Sequence, residues 1–121
     1  VKVAITSQGN GLDAPVDLRF GRCPYFIAVV LESRKIEVIP NPAASATGGA
    51  GPQAAQTIAD KGVEVVITGN VGPNAFQTLK AANMKIYTGA FGTVQETLTK
   101  YESGELKELT NSSVSDHFGL R

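Results

Sequence analysis

The chain has 121 residues, enough for one domain built on one core. Eleven basic side chains cancel eleven acidic ones, which argues against a nonspecific nucleic-acid binder. Hydrophobic residues make up 42% and charged residues 18%, the balance of an ordinary globular protein, and no apolar run approaches a membrane span.

The first segment, VKVAITS at Val1–Ser7, is β-rich and short and reads as a buried strand. No signal peptide is visible before it, and a cytoplasmic location is expected. Residues 8–24 hold three glycines and two prolines. That makes a long loop, the kind that often carries function. YFIAVVLE at Tyr25–Glu32 is the second strand. A polar turn at Ser33 and Arg34 leads into the alternating KIEVIP, and the two strands should form an antiparallel hairpin.

The next stretch, ASATGGAGPQAAQTI, passes from small residues through a glycine run to a proline. Pro52 suits the first turn of a helix, where its missing N–H is no loss. Ala55, Ile58 and Ala59 share one helical face, and Gly62 is the expected C-terminal cap. VEVVIT at Val63–Thr68 is a buried strand. Gly72-Pro73 then opens a second helix in the manner of Gly51-Pro52. Phe76 and Leu79 face the core and Asn83 caps it. MKIYTGA is a strand, and Val94, Leu98 and Tyr101 mark a third helix that ends near Gly104. ELKEL is a last short strand or a docked tail, and the polar residues after it read as loosely ordered. The caps Gly62, Asn83 and Gly104 recur every 21 residues, as consecutive helix–strand units of similar length would.

This order predicts an α/β fold with right-handed crossovers between parallel strands. If the second strand is antiparallel to the first, the third is parallel to it again. The loops 8–24, 41–51, 69–73 and 89–93 then gather at one edge of the sheet, the carboxyl edge, where open α/β sheets bind ligands. Three helix N-termini, near Gly51, Gly72 and Thr93, should point N–H groups and positive dipole ends at that edge and favour an anion. The glycines fit no nucleotide motif: no lysine follows Gly51 as a P-loop requires. The plainer reading is that they permit tight turns.

One cysteine and one histidine cannot make a classical four-ligand zinc site without carboxylates or a second chain. Cys23 reads first as a small buried apolar residue. Against that, Arg19 and Arg22 flank it, and nearby positive charge favours a ligating thiolate. His117 reads first as a solvent-exposed tail residue. Yet DHFG at Asp116–Gly119 echoes RFG at Arg19–Gly21, and an imidazole folding back could reach a soft metal centre. Cys23 and His117 are therefore the candidate metal ligands. A metal-dependent nuclease would need clustered carboxylates, and Val1–Ser7 has none. Asp13 and Asp17 fall in the loop, and Glu32 and Glu37 around the distal hairpin turn.

The segments VKVAITSQG, DLRFGRCPYFIAVVLES and NPAASATGGAGPQAAQTIADKGVEVVITGNVGPNAFQTLKAANMKIYTGA, in that order, resemble the dinitrogenase iron-molybdenum cofactor biosynthesis family, the nitrogenase accessory factors. The likeness runs from Val1 to about Tyr101, so residues 1–104 are expected to be the family domain and 105–121 a C-terminal tail. The resemblance implies a three-layer α/β/α, ribonuclease H-like fold. Its five-stranded mixed sheet would have the order 3-2-1-4-5, with strand 2 antiparallel. It implies non-catalytic binding of an iron-sulfur or iron-molybdenum cluster or precursor, with a protein partner in cluster assembly. Carried over residue by residue, Gly48, Gly49, Gly51 and Gly72 become anion contacts, with Arg19 and Arg22 as cationic neighbours. Arg22 stands where many relatives have a histidine. The competing expectation is an interaction module that uses the fold as a scaffold. A membrane or nucleic-acid partner is not expected.

Overall fold

The computed structural model describes residues 1–112, so His117 lies outside the described residues. Six strands form one sheet: β1 (Lys2–Ser7), β2 (Tyr25–Val30), β3 (Lys35–Pro40), β4 (Val65–Thr68), β5 (Lys85–Thr88) and β6 (Lys107–Glu108). Among the described residues three helices accompany them, α1 (Ala50–Asp60), α2 (Pro73–Ala81) and α3 (Val94–Glu102), with a short 3₁₀ turn at Pro42–Ser45.

The strand order is 3-2-1-4-5-6. β2 is antiparallel to β1, with Ile5 opposite Ile27, and β3 is antiparallel to β2. β1–β4 and β4–β5 are parallel. The expected order 3-2-1-4-5 is therefore present, but the sheet has six strands rather than five. Lys107 and Glu108 pair antiparallel with Thr88 and Tyr87, and the Leu109 N–H donates to the Ile86 carbonyl at 2.7 Å. The apolar Leu106 and Leu109 drive this addition, each packing against the core on a different side of the sheet.

Burial explains the rest. β1 is central and almost wholly buried, so it reads as a continuous apolar run rather than an alternating one. Its Ala4, with Phe26, Ala28 and Val66, faces the helix pair through Ala54, Ile58 and Leu79. Val3, Ile5, Ile27 and Val29 face the other way, onto Val94 and Leu98 of α3. Helices thus flank both faces, two on one side and one on the other. One helix does not reach the β3 edge, and Ile36 and Val38 stay 48% and 39% exposed there.

All three helices stop as their sequences specify. Gly62, Asn83 and Gly104 adopt left-handed φ values of 76°, 59° and 77°. The following N–H returns to a carbonyl five residues back in each case: Val63 to Ile58, Met84 to Leu79, and Glu105 to Lys100. The helix starts are less alike. In α2, Gly72 is the N-cap and Pro73 the first helical residue. In α1 the N-cap is Gly49, at φ 67°, and Pro52 comes third. Gly51 and Gly72 are therefore not equivalent positions. Gly51 lies inside the first turn, where α1 crosses α2; a Cβ there would sit 2.8 Å from the Cβ of Ala75.

Candidate functional site

The strand directions bring the expected loops to the carboxyl edge. Residues 8–24 return across it and bridge to three elements: Val16 with Ser7, Pro15 with Thr93, and Arg19 with Asn70. Thr6 anchors the return. Its carbonyl accepts the Asp17 N–H at 3.0 Å, and its hydroxyl lies 2.5 Å from the Asp17 carbonyl and 2.9 Å from the Thr68 hydroxyl. Phe20 then drops into the core against Phe26, ring centroids 5.7 Å apart.

The chain next passes over α1. A Cβ on Gly21 would meet the Gly51 nitrogen at 2.9 Å, so loop and helix touch backbone to backbone. Beside this contact opens a cleft of about 320 Å³, within the size range of small-ligand sites. Three walls form it: Phe20–Arg22, Gly49–Pro52, and Asn70 with Gly72–Ala75. Two walls are helix N-termini, and neither N-cap glycine offers a side-chain cap. Helix geometry leaves the N–H groups of Ala50, Gly51, Asn74 and Ala75 without intrahelical acceptors. Both positive dipole ends add to this. Among the described residues, Arg22 is the one charged side chain in the lining, and no carboxylate is there. The Arg22 guanidinium donates to the Ala46 carbonyl, in the segment leading to α1. Free N–H groups, helix dipole ends and a guanidinium are the kind of surroundings that favour an anion.

The structure separates the sequence candidates. Arg22, Gly49, Gly51 and Gly72 line the cleft, and Gly48 is the exposed residue just before Gly49. Arg19 is not part of the lining. Its Nε and Nη2 are engaged by the two Asp17 carboxylate oxygens at 3.0 and 2.8 Å, and its N–H donates to Asp17 at 2.9 Å. Burial works to raise the Asp17 pKa, but these bonds and the Arg19 charge outweigh it and hold the carboxyl below its usual value. The third helix N-terminus does not join either. Thr93 and Glu96 form a capping box that satisfies their own backbone N–H groups.

Cys23 is fully buried among core side chains. Its thiol points at the Phe20 carbonyl, 3.3 Å away. Burial, then the Asp17 charge, pushes its pKa up to about 12. The flanking arginines expected to favour a thiolate do not do so: one is paired with Asp17, the other with Ala46. Cys23 is buried behind the cleft and is not among its lining residues. Among the described residues, no group of three or more His, Cys, Asp or Glu could hold a metal ion.

Sequence reasoning missed Asn70 and Asn74, which line the cleft at the second helix N-terminus, and Asn41 behind the first. The Asn-Pro pair at Asn41-Pro42 was a readable signal, since asparagine before proline starts turns.

Comparison with known proteins agrees with this architecture. Residues 1–104 match the dinitrogenase iron-molybdenum cofactor family. The apo form of the orange protein from Desulfovibrio gigas is 37% identical, with a TM-score of 0.89 over 93% of this chain and 95% of that one. The NMR structure of a Thermotoga protein, provisionally described as a NifB protein, is 46% identical, with a TM-score of 0.82 over 93% and 96%. An uncharacterised protein of Methanocaldococcus jannaschii is 30% identical over 89% of this chain and 91% of its own. By sequence match and fold together, the chain belongs to the dinitrogenase iron-molybdenum cofactor family.

Proposed function

We propose that the protein is a non-catalytic carrier or sensor of an anionic metallocluster, of iron-sulfur or iron-molybdenum type, or of its precursor. One observation carries this reading: two helix N-termini without side-chain caps and Arg22 converge on a cleft that, among the described residues, contains no carboxylate. Among the described residues, the lining holds no thiolate, imidazole or carboxylate. A guest there must therefore bring its own ligand shell, and the protein holds it by hydrogen bonds and charge. Such a guest can be received and passed on without breaking a protein–metal bond, which suits delivery to a protein partner in cluster assembly. The Desulfovibrio gigas relative is called the orange protein and described in its apo form. A coloured bound state is what a metal–sulfur guest would give this chain. The same reading takes the fold as ribonuclease H-like, with β6 added to the order 3-2-1-4-5. It places the protein in the cytoplasm, where a lone free thiol stays reduced.

The test is an anaerobic titration with tetrathiomolybdate, a soluble molybdenum–sulfur anion, and with extracted cluster, followed by visible absorbance. Saturable uptake is expected, weakened about tenfold by Arg22→Ala, as loss of one charge-assisted hydrogen bond implies. Cys23→Ser should leave uptake intact. No uptake of either probe would reject the reading and leave a scaffold for protein contacts.

A further inference from the structure

Asn41 is 6% exposed and does not line the cleft, yet its side chain holds three backbone groups from two separate segments. Its Nδ2 donates to the Gly21 carbonyl at 3.0 Å and to the Cys23 carbonyl at 2.7 Å. Its Oδ1 accepts the Ala43 N–H at 3.1 Å and so caps the 3₁₀ turn. The first segment carries Phe20, Gly21 and Arg22, one wall of the cleft. The second runs on through Ala46, which Arg22 contacts, to the N-terminus of α1, the facing wall. Two other bonds join the segments, the Asn41 N–H to the Pro24 carbonyl at 2.9 Å and the Arg22 guanidinium to the Ala46 carbonyl; the asparagine amide adds the bonds that hold Gly21 and Cys23.

We propose that Asn41 is a positioning residue for the cleft. It fixes the distance between the Phe20–Arg22 wall and the first turn of α1, so that Arg22 and the Ala50 and Gly51 N–H groups address one anion together. The proposal rests on the anion-binding reading above. A hydrogen-bond set of this kind loses strength steeply when donors and acceptor drift by a few tenths of an ångström or tilt. Asn41 therefore acts through Arg22 and the amides and not by contact with the guest.

Asn41→Ser tests this. Serine keeps a neutral acceptor that can cap Ala43 but reaches neither Gly21 nor Cys23. Titrated with tetrathiomolybdate, the folded variant should bind about tenfold more weakly. Arg22→Ala should do the same. The double variant should lose little more than either alone, because the arginine is already out of register. A residue that merely stabilises the fold would lower the melting temperature and leave the two affinity losses multiplicative. That result, or wild-type affinity in Asn41→Ser, overturns the proposal. A readout without any guest separates it from the anion reading. Amide resonances of Ala50 and Gly51, which Asn41 does not touch, should shift in Asn41→Ser. If Asn41→Ser fails to fold, Asn41→Asp has the same shape, keeps the acceptor and removes both donors, and the same resonances decide. Unmoved Ala50 and Gly51 amides sink the positioning role whatever binds; no uptake by the wild type with shifted amides sinks only the anion reading.

Discussion

A Cβ on Gly51 would press on Ala75, whereas a Cβ on Gly72 meets nothing within 4 Å. The two glycines, alike in sequence, should therefore part company. Gly51→Ala is expected to destabilise by about 1–3 kcal/mol in urea unfolding, the range for overpacking, and Gly72→Ala by well under that. The glycine run was legible as a loop; its crowding against α2 was not, because Ala75 is 24 residues away in the chain. Cys23 teaches a similar lesson. Its arginine neighbours in sequence turn to other partners, and the thiol inherits the dielectric of the core. With a pKa near 12, it should resist alkylation at pH 8 and react only on unfolding, which a thiol assay with and without urea will show. Asp17 gives a pH signature. Its folded carboxyl lies below the ordinary value of 3.8, so its contribution is complete above that pH and is lost as pH falls through the depressed value. Wild-type urea midpoints should fall with acid more steeply than those of Asp17→Asn, compared from roughly pH 5 to pH 2.

Local signals served best where an element's ends are decided by its own residues. The three helix stops are such a case, since a left-handed residue after the last turn is a property of Gly62, Asn83 and Gly104 themselves. The α3 start is another. Thr93→Ala should lower stability by about 1 kcal/mol in thermal unfolding by removing the bond to the Glu96 N–H at 3.1 Å. At the α1 start Pro52 does fall in the first turn, but the N-cap is Gly49 at φ 67°, so Gly51 does not hold the place that Gly72 has in α2. β6 was one of two alternatives for ELKEL. What decides it is the free edge of β5 and the apolar ground beneath Leu106 and Leu109, neither of which the segment itself contains. A chain ended at Gly104 should accordingly unfold at lower urea than one ended at Ser112, because the Ile86 carbonyl loses its partner and both leucines are gone.

At the scale of the molecule, alternation of apolar residues and strand order were enough to place four loops at one edge. They were not enough to say which would share a cavity. α1 and α2 lie on one face of the sheet and α3 on the other, and only the paired helices bring their N-termini to a common point. The same arrangement has a consequence in time. β1 leaves the ribosome before the other strands, and β2 and β3 follow within 40 residues to form its antiparallel side. Its other edge is completed by β4, from Val65 onward. Until then the nascent chain carries an open, apolar edge at what will become the middle of the sheet, the condition under which strands pair with the wrong neighbour. The cleft closes later still, since its third wall reaches to Ala75. A chain stalled just before that point would hold four paired strands and α1, and a cleft still short of its third wall.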